Sequence, residues 1–505
     1  MNKIFLSKNL LKKEILKLKK KSKRIVLVHG VFDVVHLGHI YYFQEAKSYG
    51  DILVASITSD RFVKKGLNKP YFSEKDRLTF LSQLSIVDYV YFNDTKDASL
   101  IIKTIKPDYY VKGPDYKTKK GDEAGNLGYE MNALKKANGK FITTSNVQYS
   151  STKIINKKLN FYNLQDNYWL NKIKIDSSRN NYLNEFNKVL DKVKKQKILL
   201  LGEVIFDEYN YVDPLGKPSK ENILSVNFSK KETFFGGCLP VAKNIAQICK
   251  SVTIVSYYNK KHNLNKIKNF FKGDKIKLNF IKKAGYLDIV KRRYLNSKNF
   301  SKIFEVYNFV NNDFYDQKLY NYLSKNLKKF DKVIVCDFGH GLINDKIAKL
   351  LSINSKFISA NIQTNSGNRG FNLFDKYKKL DFLSIDEPEL RLGVKDRNTS
   401  IDKIIIKLAG RNYKKIMITR GVEGLNYKDD KNFVYIPALG KSPLDTIGAG
   451  DAAYSFASCF VKNTKNSNLI SLVAAIAGAL KVQIVGHKDF IKLNDVFLTL
   501  RSLLK

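Results

Sequence analysis

Short apolar runs alternate with amphipathic segments from Ile25 to Leu159. Ile25–Val28, Asp51–Ile57, Val87–Phe92 and Tyr109–Val111 are runs of strand length, the signature of strands buried on both faces. Between them, Ile40–Tyr49, Glu74–Leu84 and Ala98–Ile105 read as helices, with Ser73 placed to cap the second. The basic segment Leu10–Lys23 predicts a first surface helix, with an interfacial amphipathic helix as its rival. Such alternation predicts a parallel sheet with crossover helices, and ligands at the carboxyl ends of the strands.

A second strand-turn unit starts at Lys197–Gly202, and strong strands follow at Val252–Val255, Val333–Cys336 and Ile416–Thr419. The stretch Phe161–Gln196 is polar and rich in Asn and Lys. It predicts an exposed connection with a lead-in helix over Asn184–Lys195. A chain of 505 residues is too long for one compact core. The expected division is an α/β domain over 1–158, a linker and helix over 159–195, and a second α/β domain over 196–505. No repeat relates the halves.

The net charge of +42 changes this picture less than its size suggests. The lysines are spread along the chain among Asn and Ile, without an arginine-rich arm, zinc-finger spacing or RNA-binding aromatic signature. A nucleic-acid partner is therefore set aside, and anionic small substrates are favoured. Cys238, Cys249, Cys336 and Cys459 show no CxxC spacing and predict buried free thiols in a reducing compartment. With no signal-peptide core and no apolar span of membrane length, a cytoplasmic protein is expected.

The chemistry concentrates at two places. The first is Gly30-Val31-Phe32-Asp33-Val34-Val35-His36-Leu37-Gly38-His39, directly after a strand and before a helix. Helix N-termini bind phosphate through backbone N–H groups and the dipole. His36 and His39 would share one face of the first turn and add imidazole donors. Asp33 reads equally as a turn acceptor or a catalyst. The second is Asp445-Thr446-Ile447-Gly448-Ala449-Gly450-Asp451, ahead of a helix over Ala452–Phe460. The glycines would let backbone N–H groups close around phosphate charge, and Asp451 could accept a hydroxyl proton. A helix N-terminus lowers a carboxylate's pKa, so Asp451 is expected to be ionised at neutral pH.

The first motif resembles the HxGH nucleotidyltransferases. Ser59–Gly66, Glu74-Lys75-Asp76-Arg77, Val111-Lys112-Gly113-Pro114-Asp115-Tyr116 and Tyr149–Ile155 resemble further elements of that superfamily. The resemblance implies that a sugar-phosphate oxygen attacks the α-phosphorus of ATP, or of CTP, and releases pyrophosphate. It casts His36, His39 and Lys65 as catalytic. Gly30, Phe32, Lys64, Lys112, Asp115, Ser151 and Thr152 would bind nucleotide, and Mg2+ would be held chiefly by the phosphates.

The second motif resembles the D-T-x-G-A-G-D signature of the ribokinase-like sugar kinases. Phe235–Ala246 resembles their substrate loop and helix, with Pro240 in place of an Asn. Asp386-Glu387-Pro388-Glu389 resembles their N-x-x-E element, and Thr419-Arg420-Gly421-Val422-Glu423-Gly424 their nucleotide-side turn. The resemblance makes Asp451 the base and puts Thr419, Gly421, Gly424, Gly448, Ala449 and Gly450 on nucleotide. Asp207, Gly236, Gly237, Asn244 and Asp337 would hold the sugar, and Asp386 and Glu389 a magnesium ion. Asn361-Ile362-Gln363-Thr364 stands where Asp-Pro-Lys is expected, and His340 where related kinases have Lys. Both changes are expected to touch the acceptor region and to leave the transfer apparatus intact.

Together the halves resemble the bifunctional heptose kinase/nucleotidylyltransferases of bacterial surface-polysaccharide synthesis, in reversed order. The implied partners are a sugar phosphate and a nucleoside triphosphate, and a homodimer stays open. The alternative is a cytidylyltransferase for a polyol or phospholipid headgroup phosphate, fused to a sugar-sensing kinase-like domain.

Overall fold

The computed structural model describes residues 3–63, 67, 69–117, 125–145, 164–308, 316–409, 412–440 and 443–504. The chain forms two units, 1–163 and 164–504. The parallel α/β expectation is met in both.

In the first unit six strands are all parallel: β1 (Ile4–Phe5), β2 (Ile25–Gly30), β3 (Ile52–Thr58), β4 (Tyr89–Asn93), β5 (Tyr109–Lys112) and β6 (Lys140–Thr143), in the order β1-β4-β3-β2-β5-β6. Successive side chains of β2 point to opposite faces. Ile25 and Leu27 join a core with Leu11, Ile15, Ile101 and Ile105. Val26 and Val28 join another with Phe32, Phe43, Leu78 and Leu81. An apolar run buried on both sides is what helices on both faces require. The basic helix, Lys8–Lys20, belongs here: Leu11 and Ile15 are buried while its lysines stay outside. Leu11 and Ile15 thus fill its inward stripe, while Leu10 and Leu16 stay exposed.

Among its described residues the second unit has two sheets. The larger contains β7 (Lys197–Gly202), and the smaller begins with β8 (Val204–Gly216) and β9 (Ser225–Gly237). β10 (Ser251–Tyr258) and β11 (Ile276–Lys282) return to the larger sheet, whereas β12 (Ile289–Asn296) and β13 (Lys302–Asn308) complete the smaller, ordered β13-β12-β8-β9. The larger sheet continues with β14 (Lys332–Asp337), β15 (Ile358–Ile362), β16 (Phe382–Asp386), β17 (Ile416–Thr419), β18 (Leu425–Lys428) and β19 (Phe433–Ile436). Its order is β11-β10-β7-β14-β15-β16-β17-β18-β19, antiparallel only at β18 and β19. Helices Ala449–Phe460 and Ser467–Lys481, apolar nearly all round, pack in the interior.

The structure corrects the connection expected over 161–196. Leu164–Asn180 and Tyr182–Val193 are helices of the second unit, and Tyr182, Phe186, Val189, Leu190 and Val193 are buried. Glu185 accepts from Thr464 Oγ1 and, at 3.1 Å, from Asn466 Nδ2. Trp169 packs edge-on against Tyr435 at 5.7 Å. The polar composition misled because the apolar positions are few and fall on one stripe. Burying each large side chain of that stripe contributes roughly 1.5–3 kcal/mol. A fragment beginning at residue 197 is therefore expected to melt well below one beginning at 164 in calorimetry. Equal melting temperatures would mean the two helices do not belong to the fold. Among the described residues no helix is long and apolar enough to cross a membrane.

Candidate active sites

In the first unit the predicted phosphate-binding turn follows β2. The helix starts earlier than its apolar pattern suggested, at Leu37–Ser48, and His36 is its N-cap instead of a member of its first turn. The cap is reciprocal. His36 Nδ1 accepts from Gly38 N at 3.1 Å, and His39 Nδ1 accepts from His36 N at 3.3 Å. The rings lie 4.1 Å apart between centroids. A nitrogen that accepts an N–H carries no proton, so each neutral ring holds its proton on Nε2. Burial lowers the pKa of His36, which favours this neutral form.

The surroundings fix the pair. Phe32, at φ 50°, sets its ring edge-on to His39 at 5.8 Å and against Phe43 at 5.3 Å. Gly30 ends β2 beneath that ring. Asp33 is a turn acceptor, taking the N–H of Tyr71 at 2.7 Å and of Phe72 at 2.9 Å. Arg77 is buried and donates to Thr58 O at 2.9 Å, to Asp60 Oδ1 at 2.6 Å and to Val31 O. It bolts the ends of β2 and β3 to the loop behind them.

Lys112 was expected to bind nucleotide. It is buried, pairs with Glu130 at 3.4 Å and donates to His29 O at 3.4 Å. His29 itself is pushed down to about 3, first by burial and then by Lys112. Asp115 sits exposed on the short helix Pro114–Lys117. Lys64, Lys65, Ser151 and Thr152 lie outside the described residues.

In the second unit the carboxyl ends of β7, β14, β15, β16 and β17 stand side by side, with Asp386 in register with Thr419. The helix over this edge starts at Ala449, with Gly448 as N-cap and Asp451 inside the first turn. Gly448 has φ +78°, and a Cβ there would come within 2.9 Å of the His487 ring. Gly450 approaches the Thr419 hydroxyl. Gly421 and Gly424 flank the turn leading into β18, where Arg420 N donates to Gly424 O at 2.8 Å.

Asp451 Oδ1 accepts from Gln363 Nε2 at 2.6 Å and from Asn361 Nδ2 at 2.8 Å. Burial pushes its pKa up to about 6. This corrects the expected lowering: removal from water outweighs the helix terminus. Asn361 and Gln363, expected to touch the acceptor region, thus contact the candidate base Asp451.

Asp386 and Glu389 form a capping box, Glu389 N donating to Asp386 Oδ1 at 2.8 Å and Asp386 N to Glu389 Oε2 at 3.2 Å. Thr364 N donates to Glu389 Oε1 at 2.8 Å. Burial, then the charge of Asp386, pushes Glu389 up to about 9, and burial also raises Asp386. Two crowded carboxylates suit a divalent cation. Among the described residues no set of three or more His, Cys, Asp or Glu is placed to hold one. Water and phosphate would have to complete its shell, as Mg2+ prefers.

The remaining expected sugar ligands are already engaged. Asp207 pairs with Arg293, and a Cβ at Gly236 would overlap its carboxylate. Gly237 opens the helix Cys238–Ala246, in which Asn244 donates to Ser455 Oγ at 3.1 Å, between helices. Asp337 is held by Tyr377 Oη at 2.7 Å, Lys376 Nζ at 2.6 Å and Asn372 Nδ2 at 3.2 Å. Arg293 and Glu203 were not picked out from sequence. Glu203, buried, accepts from Phe338 N at 3.0 Å and His340 N at 3.1 Å. Its signal was an acid just past an apolar strand. Burial pushes His340 down to about 4, so it is neutral at pH 7. Cys238, Cys249, Cys336 and Cys459 are buried free thiols.

Residues 27–157 match the model of the cytidylyltransferase-like family, and residues 195–489 that of the pfkB family of carbohydrate kinases. Over 109 residues the chain is 45% identical to the Bifunctional protein HldE of Campylobacter fetus subsp. fetus, covering 21% of this chain and 24% of that protein. Over 132 residues it is 39% identical to the Bifunctional protein HldE of Aliarcobacter butzleri, covering 26% of this chain and 27% of that protein. The matches thus span under a third of those relatives' own lengths. A crystal structure of a ribokinase from Thermotoga maritima is 15% identical, covers 61% of this chain and 99% of that chain, and gives a TM-score of 0.48.

Proposed function

The chain belongs to the pfkB family of carbohydrate kinases over its second unit, and from that premise we propose that it carries two activities, a sugar kinase and a sugar-phosphate nucleotidylyltransferase, which together make a nucleotide-activated sugar of the ADP-heptose kind. What supports this reading is one arrangement found in both units. A helix opens at the carboxyl ends of parallel strands, with a chemistry-bearing side chain at its first positions: His36 and His39 in one, Asp451 in the other. The relatives' name, Bifunctional protein HldE, agrees with two activities in one chain.

In the first unit a sugar-phosphate oxygen attacks the α-phosphorus of ATP or CTP. A new P–O bond forms, the bond to the β-phosphate oxygen breaks, and pyrophosphate leaves. His36 and His39 donate from Nε2 to the phosphate oxygens as charge builds, an electrostatic role that needs no covalent intermediate. In the second unit an acceptor hydroxyl attacks the γ-phosphorus of ATP, ADP leaves, and the proton passes to Asp451. Asp386 and Glu389 would hold a Mg2+ ion, which would supply charge neutralisation to the phosphates.

Mass spectrometry of products from a panel of sugars and sugar phosphates, each with ATP or CTP, tests the proposal. The expected outcome is a sugar one phosphoryl group heavier with ADP, and a nucleotidyl sugar with pyrophosphate. The same panel separates ATP from CTP. Transfer to a polyol or headgroup phosphate alone, with no sugar phosphorylated, would replace this reading by the headgroup cytidylyltransferase.

A further inference from the structure

Strand β15 reads Ile358-Ser359-Ala360-Asn361-Ile362, then Gln363. Its polar positions alternate with apolar ones, yet the strand lies inside the sheet, between β14 and β16. Period two puts Ser359, Asn361 and Gln363 on one face. On the helix Ala449–Phe460, Asp451 and Tyr454 are three residues apart and share a face. The two stripes meet. Ser359 Oγ and Tyr454 Oη lie 3.0 Å apart, and the amides of Asn361 and Gln363 both donate to Asp451 Oδ1. Gln363 is pinned by its own backbone: its N–H donates to Asp337 O at 2.9 Å, and its carbonyl accepts from Asn372 Nδ2 at 3.0 Å. The next residue, Thr364, holds Glu389.

We propose that Gln363 and Asn361 are positioning residues for Asp451: their amides hold Oδ1, fix the rotamer, and leave Oδ2 as the oxygen that receives the acceptor's hydroxyl proton. The inference rests on the kinase reading of this unit. Two donors on one oxygen also stabilise the charged carboxylate against burial. Other groups act on Asp451 from the elements around it. They are Lys291 on β12, Asp207 on β8, Lys481 at the end of helix Ser467–Lys481, and the thiols of Cys238 and Cys336. Lys291 and Lys481 favour the charge and Asp207 opposes it. The amides are neutral and hydrogen-bond the carboxylate directly.

The test compares the full chain with Gln363→Leu, which removes the donor, and Gln363→Lys, which replaces it by a cation. The readouts are the acid limb of kcat/KM for sugar phosphorylation and the 13C carboxyl signal of Asp451, assigned by its loss in Asp451→Asn. Gln363→Leu is expected to move both upward by about one pH unit, and Gln363→Lys downward by a similar amount, since one unit is a tenfold change in proton affinity. Opposite signs are the mark of a contact with the carboxylate; a merely structural residue would give equal shifts or none. Asn361→Ala, expected to shift in the direction of Gln363→Leu, serves should either Gln363 variant fail to fold. The carboxyl signal titrates whether or not sugar is phosphorylated. A parent that phosphorylates nothing would overturn the kinase reading alone. Carboxyl titrations that coincide in all variants would overturn the clamp.

Discussion

Asp451→Asn is expected to lower phosphoryl transfer from ATP to sugar by roughly 10²–10⁴-fold, the usual share of general-base catalysis. Asparagine keeps the size of the side chain and can still accept the amide of Gln363 or Asn361, but it cannot take the proton. Nucleotide affinity should change little. In the parent, kcat/KM should fall as pH drops through about 6, because the base must be ionised to act and burial has raised it to that value. The sign follows directly: a raised carboxylate pKa moves the acid limb toward neutrality. The measurements are initial rates across pH together with ATP affinity for parent and variant. Full turnover in the variant would remove Asp451 from the mechanism.

His36→Ala or His39→Ala is expected to cost on the order of 10²–10³ in nucleotidyl transfer, the usual loss for one preorganised donor on developing charge. Alanine at 36 also removes an N-cap, worth about 1 kcal/mol. His36→Asn separates the effects. Asparagine caps helices well, but it has no Nε2 to offer. It should melt near the parent and turn over as slowly as His36→Ala, measured by pyrophosphate release on the true sugar phosphate. A variant that is both stable and fast would sink the donor assignment.

How far the sequence could be read depended on whether chemistry and backbone position lay on the same short stretch. β2, its turn and the helix Leu37–Ser48 are contiguous, so the histidines were found with their setting. Gly448 to Asp451 were legible for the same reason. The partners of those residues come from elsewhere in the chain. Asn361 and Gln363 meet Asp451 across about 90 positions, through strand order that no local pattern states. Their signal was the polar alternation inside an interior strand, whereas the change at Asn361–Thr364 was expected to act on the acceptor region. Arg293 reaches Asp207 only because β12 pairs with β8. The motif of Lys112 is local, but its side chain turns inward to Glu130, a partner no local pattern states. A lead-in helix was expected over Asn184–Lys195 and lies at Tyr182–Val193; the helix Leu164–Asn180 and the burial of both were missed because composition was weighed above the spacing of a few apolar residues.

The reciprocal cap at His36 and His39 makes each imidazole a strut and a donor at once. A second proton on either ring must go to Nδ1, where it would face a backbone N–H already pointing at that atom. The doubly protonated ring would attract phosphate more strongly, yet it would push away the turn that aims it. Strength of attraction and accuracy of aim are thus set against each other by one proton. In the proposed nucleotidyl transfer, acid would therefore act on the scaffold of the turn as well as on its donors.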